Sequence, residues 1–382
     1  MVVEVWVLYL FEGYWFVSLL SKRARFGAMK LSEFCTMKNE PIPHDLNHHC
    51  CGSFPNMPRR QFLKSTVGAL GATALPVISF ADENKSKMAK PETLVKTLFD
   101  SLSEEQRKAV AFSFDHELRL KVDNNWHITP QRIGSEFYTD DQREMVKQIF
   151  MGLHSPEYAD TVYKQVVHDS GDAGFGDCSI GLFGEPGTGK FEFVLTGRHC
   201  TRRCDGDSVD GAAFGGPIFY GHAAEDFDEA PDHPGNAYWY QAKRANEAFE
   251  MLDGKQREVA LLGQSRKEQG NQTVKLTGKA FGLPGIRMSD LSKDQGAHVR
   301  KVLEDILAPY RKADVKEAMK LIKHGGFQNL HMAFFKNQDV GNDKVWDVWQ
   351  IEGPNMLCYF RGDPHVHAWI NIKKEPDATD LA

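Results

Sequence analysis

Toward the end of the chain stands His365-Val366-His367, and the spacing of its two imidazoles invites chemistry. If this stretch is a strand, residues two apart share a face roughly 7 Å from one another, so both rings can reach one ion. Val366, Ala368, Ile370 and Ile372 then make an apolar face, leaving His365, His367, Trp369 and Asn371 on the other. A third histidine, His199, ends the run Phe191 to His199 on the side of Phe193 and Leu195. Three histidines match the ligand count of an open catalytic zinc site or of a copper site, with water in the remaining position. Such an ion would activate water for hydrolysis or, if redox-active, support oxygen chemistry, and the residues do not choose between the two. Convergence of the three rings to within about 4 Å is the geometric requirement for a shared ion.

Other polar side chains compete for a role. Glu352, Asp363 and Glu192 are available as general bases. Trp126, His127 and Arg132 form a second cluster, while His222 and His233 flank the acidic segment Glu225 to Asp232, which reads as a surface loop. A rival reading is a non-catalytic binding protein. Trp239, Trp346, Trp349 and Trp369 would then be aromatic platforms for a small-molecule ligand such as a sugar.

Two motifs mislead. Gly184-Glu185-Pro186-Gly187-Thr188-Gly189-Lys190 fits the first seven positions of a phosphate-binding loop, but Phe191 stands where a hydroxyl would hold magnesium. The alternation Phe191-Glu192-Phe193-Val194-Leu195 predicts a strand there, not the helix a phosphate needs. Asp205-Gly206-Asp207-Ser208-Val209-Asp210-Gly211 resembles a calcium loop, but Val209 replaces an oxygen ligand and the closing glutamate is missing.

The elements that must position the histidines are legible. Ser103-Glu104-Glu105-Gln106, Thr139-Asp140-Asp141-Gln142, Asp253-Gly254-Lys255-Gln256 and Ser292-Lys293-Asp294-Gln295 each read as a capping box that opens a helix. The helices are expected over Pro91 to Ser101, Glu104 to Phe112, Asp140 to Gly152, Ala237 to Leu252, Lys255 to Leu262, Lys293 to Tyr310 and Ala313 to His324. Similar spacing in the first and last pairs hints at a duplicated helical unit. Strands are expected over Cys178 to Phe183, Phe191 to His199 and Ile218 to Tyr220. A C-terminal meander follows over Leu330 to Lys336, Val345 to Glu352, Met356 to Arg361 and Val366 to Ile372. Segregated helices and antiparallel strands predict an α+β fold with a helical start and a C-terminal β-meander.

Upstream of that fold, Arg59-Arg60-Gln61-Phe62-Leu63-Lys64, the apolar Val67 to Ile78 and the exit Ser79-Phe80-Ala81 make a twin-arginine signal peptide over residues 57–81. Residues 1–56 read as an over-extended start, with Met57 as the true initiator. The alternative makes Val5 to Leu20 a membrane anchor, but it is short and interrupted by Glu12-Gly13. The expectation is a soluble, exported protein, periplasmic or extracellular, handled by the twin-arginine translocation machinery and without stable membrane insertion. Residues 82–382 would form its single mature domain, about three hundred residues and enough for a substantial core. A net charge of −6 and the lack of a long basic run exclude nucleic acid as a partner. Cys200 and Cys204 could form a local disulfide in an oxidising compartment or remain small buried thiols.

Several stretches together resemble the domain-of-unknown-function 3500 group of bacterial proteins: Leu102 to Arg107, Asn125 to Pro130, Phe193 to His199, Gly216 to Gly221, and Gly353-Pro354 leading to His365-Val366-His367. The resemblance spans most of residues 95–372 and carries no established activity. It implies a second histidine after His199 and an acidic residue shortly after the Gly-Pro. Here Cys200 holds the first place, and Cys358-Tyr359 lie around the second.

Overall fold

The computed structural model describes residues 5–11, 14–20, 90–222, 237–337, 346–362, 365–378 and 380. Residues Met1–Ser79 and Phe80–Ala382 are separate units. In the first, β1 (Val5–Phe11) and β2 (Tyr14–Leu20) pair as an antiparallel hairpin, so the apolar run is two strands broken at Glu12-Gly13 and not one span. Residues 57–81, where a signal peptide is expected, lie outside the described residues.

In the second unit all four capping boxes form. Ser103, Thr139, Asp253 and Ser292 each accept from the amide of the glutamine three residues on, and each glutamine returns a bond to the cap amide. They open α2 (Glu104–Val110), α3 (Asp140–Gly152), α6 (Gly254–Ala260) and α7 (Lys293–Leu307). Completing the helices are α1 (Pro91–Ser101), α4 (Ala159–Asp169), α5 (Trp239–Glu250) and α8 (Lys312–Gly325).

Two expected helices end in short strands. After Val110 and Ala260 the chain turns extended and gives β3 (Ala111–Phe112) and β8 (Leu261–Leu262), which pair in parallel with β4 (Ser179–Gly184) and β10 (His331–Phe335). The remaining strands are β5 (Phe191–Gly197), β6 (Cys200–Cys204), β7 (Ile218–His222), β9 (Ile286–Arg287), β11 (Val348–Gly353), β12 (Met356–Arg361) and β13 (Val366–Ile372). All join one sheet in the order β3-β4-β5-β6-β7-β13-β12-β11-β10-β8, with β9 beside β10. Apart from the two parallel edge pairs the ladders are antiparallel, and the fold is α+β.

The hinted duplication is real and extends beyond the helices. Each half runs two helices, a two-residue parallel strand, two more helices and a four-stranded meander, and the halves join through β7 and β13 at the centre of the sheet. The cap glutamines repeat the same contacts in both halves. Gln106 and Gln142 exchange side-chain bonds and reach the carbonyls of Phe137 and Ser101; Gln256 and Gln295 exchange theirs and reach Asp290 and Met251.

One face of the sheet packs on the helices, where the largest cluster of buried side chains includes Val366, Ala368, Ile370 and Ile372. The other face is covered by two long connections, with Val122 and Val274 packing beside Phe219, Tyr359 and Trp369. The Asn271 side-chain oxygen ties them together by accepting from the Val122 amide at 2.8 Å. His367, Trp369 and Asn371 therefore lie under these connections.

The paired glutamines differ in burial, Gln142 being 3 % exposed and Gln295 only half-buried. Gln142→Ala, which strands the buried side-chain amide of Gln106, is expected to cost about 2 kcal/mol, and Gln295→Ala under about 1 kcal/mol, in urea denaturation. Equal costs would show that the two networks do not differ in solvent access.

Candidate metal centre

His199, His365 and His367 come together at the end of the sheet where the two halves meet. Each offers a ring nitrogen, and these three atoms lie within 4.8 Å of one another. Ring centroids are 5.0 Å apart for His199 and His365, 5.0 Å for His199 and His367, and 4.7 Å for His365 and His367. The spread exceeds the convergence of about 4 Å that a shared ion requires; a tetrahedral ion with 2.0–2.1 Å bonds places its ligand nitrogens about 3.3 Å apart, so the rings must draw together by about 1.5 Å to share one ion.

Two placements differ from the sequence reading. His199 does not continue its strand: β5 ends at Gly197, and His199 occupies the tight turn into β6 with φ of 52°. Its amide donates to the Asn124 carbonyl at 2.8 Å, which helps to hold the turn. His365 sits just before β13 and is half-buried, whereas His199 and His367 are buried.

Two carboxylates that the sequence reading missed fix the buried rings. Asp169, at the C-terminal end of α4, receives the Nδ1 proton of His199 at 2.7 Å. Glu268, in the connection after β8, receives that of His367 at 2.6 Å, and the Arg361 guanidinium, paired with Glu268, approaches the same ring nitrogen. A carboxylate behind Nδ1 sets the tautomer and leaves Nε2 as a lone pair aimed away from the acid, the arrangement common behind metal-bound histidines. His365 Nε2 and His367 Nε2 are 3.0 Å apart, and two lone pairs at that distance repel unless a proton or a cation lies between them.

The signal for Asp169 was faint: an acid at a helix C-terminus opposes the helix dipole and needs a tertiary reason to be there. Glu268 lies between Lys267 and Gln269 with nothing to distinguish it.

Electrostatics keep His365 and His367 neutral. Burial, reinforced by His367 and His199, lowers the His365 pKa to about 3. Burial also lowers His367 to about 4, although Glu268 opposes the shift. For Glu268 burial acts upward, but the hydrogen bond and charge of His367, with Arg361 at 2.6 Å, outweigh it and hold the carboxyl at about 2. Asp169 stays below the usual carboxylate range because its bonds to His199 and His222 outweigh burial.

The other candidates resolve differently. His222 is no surface-loop residue: it ends β7, is 2 % exposed, and has Nδ1 3.4 Å from Asp169. His233 and Asp363 lie outside the described residues. Glu192 is buried in ion pairs with Arg119 and Arg203, and Glu352 pairs with Arg266 at 3.0 Å, so neither is a free base. His127 and Arg132 meet at Asp177, while buried Trp126 donates to Thr201.

Trp349 and Trp369 are fully buried, Trp239 is 5 % exposed, and Trp346 packs half-buried against the helix-side core, which removes them as ligand platforms. Cys200 and Cys204 are free thiols at opposite ends of one strand, roughly 13 Å apart along it and far beyond disulfide reach. Cys200 and Cys358 lie in the helix-side core. The phosphate-loop lookalike is the β4–β5 connection, with a strand after it.

Depressed histidine pKa values make the fold acid-sensitive. The unfolded chain binds these protons near pH 6.5 and the folded chain only near 4 and 3, so stability is full above about pH 6.5 and falls as pH drops through that window. The urea midpoint without metal should decline from about pH 6.5 to about 4, less steeply in His365→Ala. An unchanged slope in that variant would mean that the ring is charged in the folded state.

A family model described as protein of unknown function (DUF3500) matches residues 84–375, a stretch that contains the triad and both carboxylates. No curated protein and no solved structure matches the chain. With a match over well more than half its length, the chain belongs to the DUF3500 family.

Proposed function

We propose that this chain is an exported metalloprotein in which His199, His365 and His367 hold one divalent transition ion, zinc or copper. The observation that carries the reading is the pair of carboxylate-backed rings, Asp169–His199 and Glu268–His367, presenting lone pairs toward His365. His365 Nε2 and His367 Nε2 at 3.0 Å share either a proton or a cation, and a third ring with a carboxylate behind it facing the same point favours the cation. Three neutral nitrogen donors suit zinc or copper, and they leave room for an exogenous ligand in the remaining position.

The ion supplies Lewis acidity for hydrolysis if it is zinc and electron transfer to oxygen species if it is copper. The chain's own contribution is placement. Asp169 and Glu268 hold the Nδ1 protons, burial removes competing water from two of the rings, and half-buried His365 marks the open side. Loss of the tryptophan platforms weighs against the rival binding-protein reading.

Elemental analysis of the purified chain, prepared without chelator, tests this directly. Near-stoichiometric metal is expected, lost in the His365→Ala/His367→Ala double variant provided that variant remains folded. Asp169→Asn and Glu268→Gln should keep the fold and weaken metal affinity about 10–100-fold. Metal-free protein at all concentrations of added zinc and copper would sink the proposal.

Export is part of the same reading, resting on Arg59-Arg60 and the apolar stretch after them. Residues 57–81 fused to a reporter that requires twin-arginine transport should carry it across the membrane, and Arg59→Lys/Arg60→Lys should stop it. A reporter exported equally with both lysines would overturn the assignment.

A further inference from the structure

The loop-covered face holds a second built site, farther along β13. Asn371 and Lys373 follow His367 on the same side of the chain and are 2 % and 6 % exposed. Asp380 accepts from Lys373 Nζ at 2.7 Å and from Asn371 Nδ2 at 3.2 Å, and it is the buried partner of that ammonium, whose other carboxylate, Asp377 at 2.9 Å, is exposed. Asn371 Oδ1 is buried without a hydrogen-bond partner among the described residues.

Asp380 also divides space. It lines a cavity of about 340 Å³ bordered by Arg119, Pro217 and Asn271, and another of about 370 Å³ bordered by Arg266, Lys275 and Lys279. Each is of the size that holds a small organic ligand. Lys373 and Asn371 line the first, together with the carboxylates Asp115 and Glu117, whereas the charged groups around the second are cations apart from Asp380. Asp380 lies beyond the stretch matched by the family, whereas Asn371 and Lys373 lie within it.

We propose that Lys373 and Asn371 form a binding site for a small molecule bearing a carboxylate and an adjacent hydrogen-bond donor, and that Asp380 occupies its carboxylate position from within the chain. The ammonium and the Asn371 amide N–H recognise the carboxylate, Asn371 Oδ1 accepts from the ligand's donor, and the rest of the molecule fills the flanking cavity. A buried ammonium paired with a carboxylate loses stability when its partner is removed, so an added carboxylate should restore what truncation takes away.

The test measures the melting temperature of the full chain carrying Asp380→Ala, titrated with acetate, N-acetylglycine or chloride at equal ionic strength. Asp380→Asn, which keeps the side-chain size, replaces it if the alanine variant does not fold. The expected result is saturable stabilisation by acetate, and by N-acetylglycine at tenfold lower concentration or less, with no such response in the wild type. Adding Lys373→Met should abolish both responses. Equal effects of acetate and chloride, or rescue that survives Lys373→Met, would overturn the site. N-acetylglycine no better than acetate would reduce Asp380 to an anchor for the tail and overturn the ligand assignment.

Discussion

Everything in the second unit depends on the pairing of β7 with β13. This ladder joins two halves that otherwise complete their own meanders, and its register sets Val366 opposite His222 and His367 opposite Gly221. The approach is close enough that a Cβ on Gly221 would lie 2.2 Å from the Val366 carbonyl oxygen, so only glycine fits there. A one-residue slip would turn His367 to the helix side and Val366 toward Glu268. The candidate centre is thus a product of this junction. One half brings Asp169 and His199, the other brings Glu268, His365 and His367.

Much of the scaffold was legible because its signals are local. A capping box needs four consecutive residues, and all four boxes open helices at the expected places. Val366–Ile372 alternates cleanly, Met356–Arg361 is a short apolar run bounded by a turn, and both begin and end as read. Strand β6 was missed because Cys-Thr-Arg-Arg-Cys carries two charges near its centre. Arg203 is satisfied by Glu192 and the Pro217 carbonyl, while Arg202 lies in the main core against His154 and the Phe219 carbonyl. None of these partners is a sequence neighbour. The helix Ala159–Asp169 was missed for a related reason. Its cap residue, Tyr158, makes no side-chain cap bond, and its β-branched Thr161, Val162, Val166 and Val167 are weak helix formers. What holds it is the burial of Val162 and Val166 in the main core, which local spacing does not announce.

The site divides in the same way. Three histidines could be picked out by residue type and by the period of a strand, even though His199 belongs to a turn and His365 precedes its strand. The acids behind them could not, because Asp169 is brought to His199 by the docking of a helix and Glu268 to His367 by a long connection folding back over the sheet. Chemistry-bearing side chains announce themselves by type. The groups that orient them are known only by where the fold puts them.

The duplication carries a consequence for how the molecule assembles. Most contacts within each meander join neighbouring strands, whereas β7 and β13 come from distant parts of the chain and meet only after a large loop has closed. Contacts of such high order form late in folding. Each half, taken as a fragment, holds one imidazole–carboxylate pair, His199 on Asp169 in one and His367 on Glu268 in the other. Neither fragment alone presents all three nitrogens, so the complete donor set is a report that the two halves have docked in register.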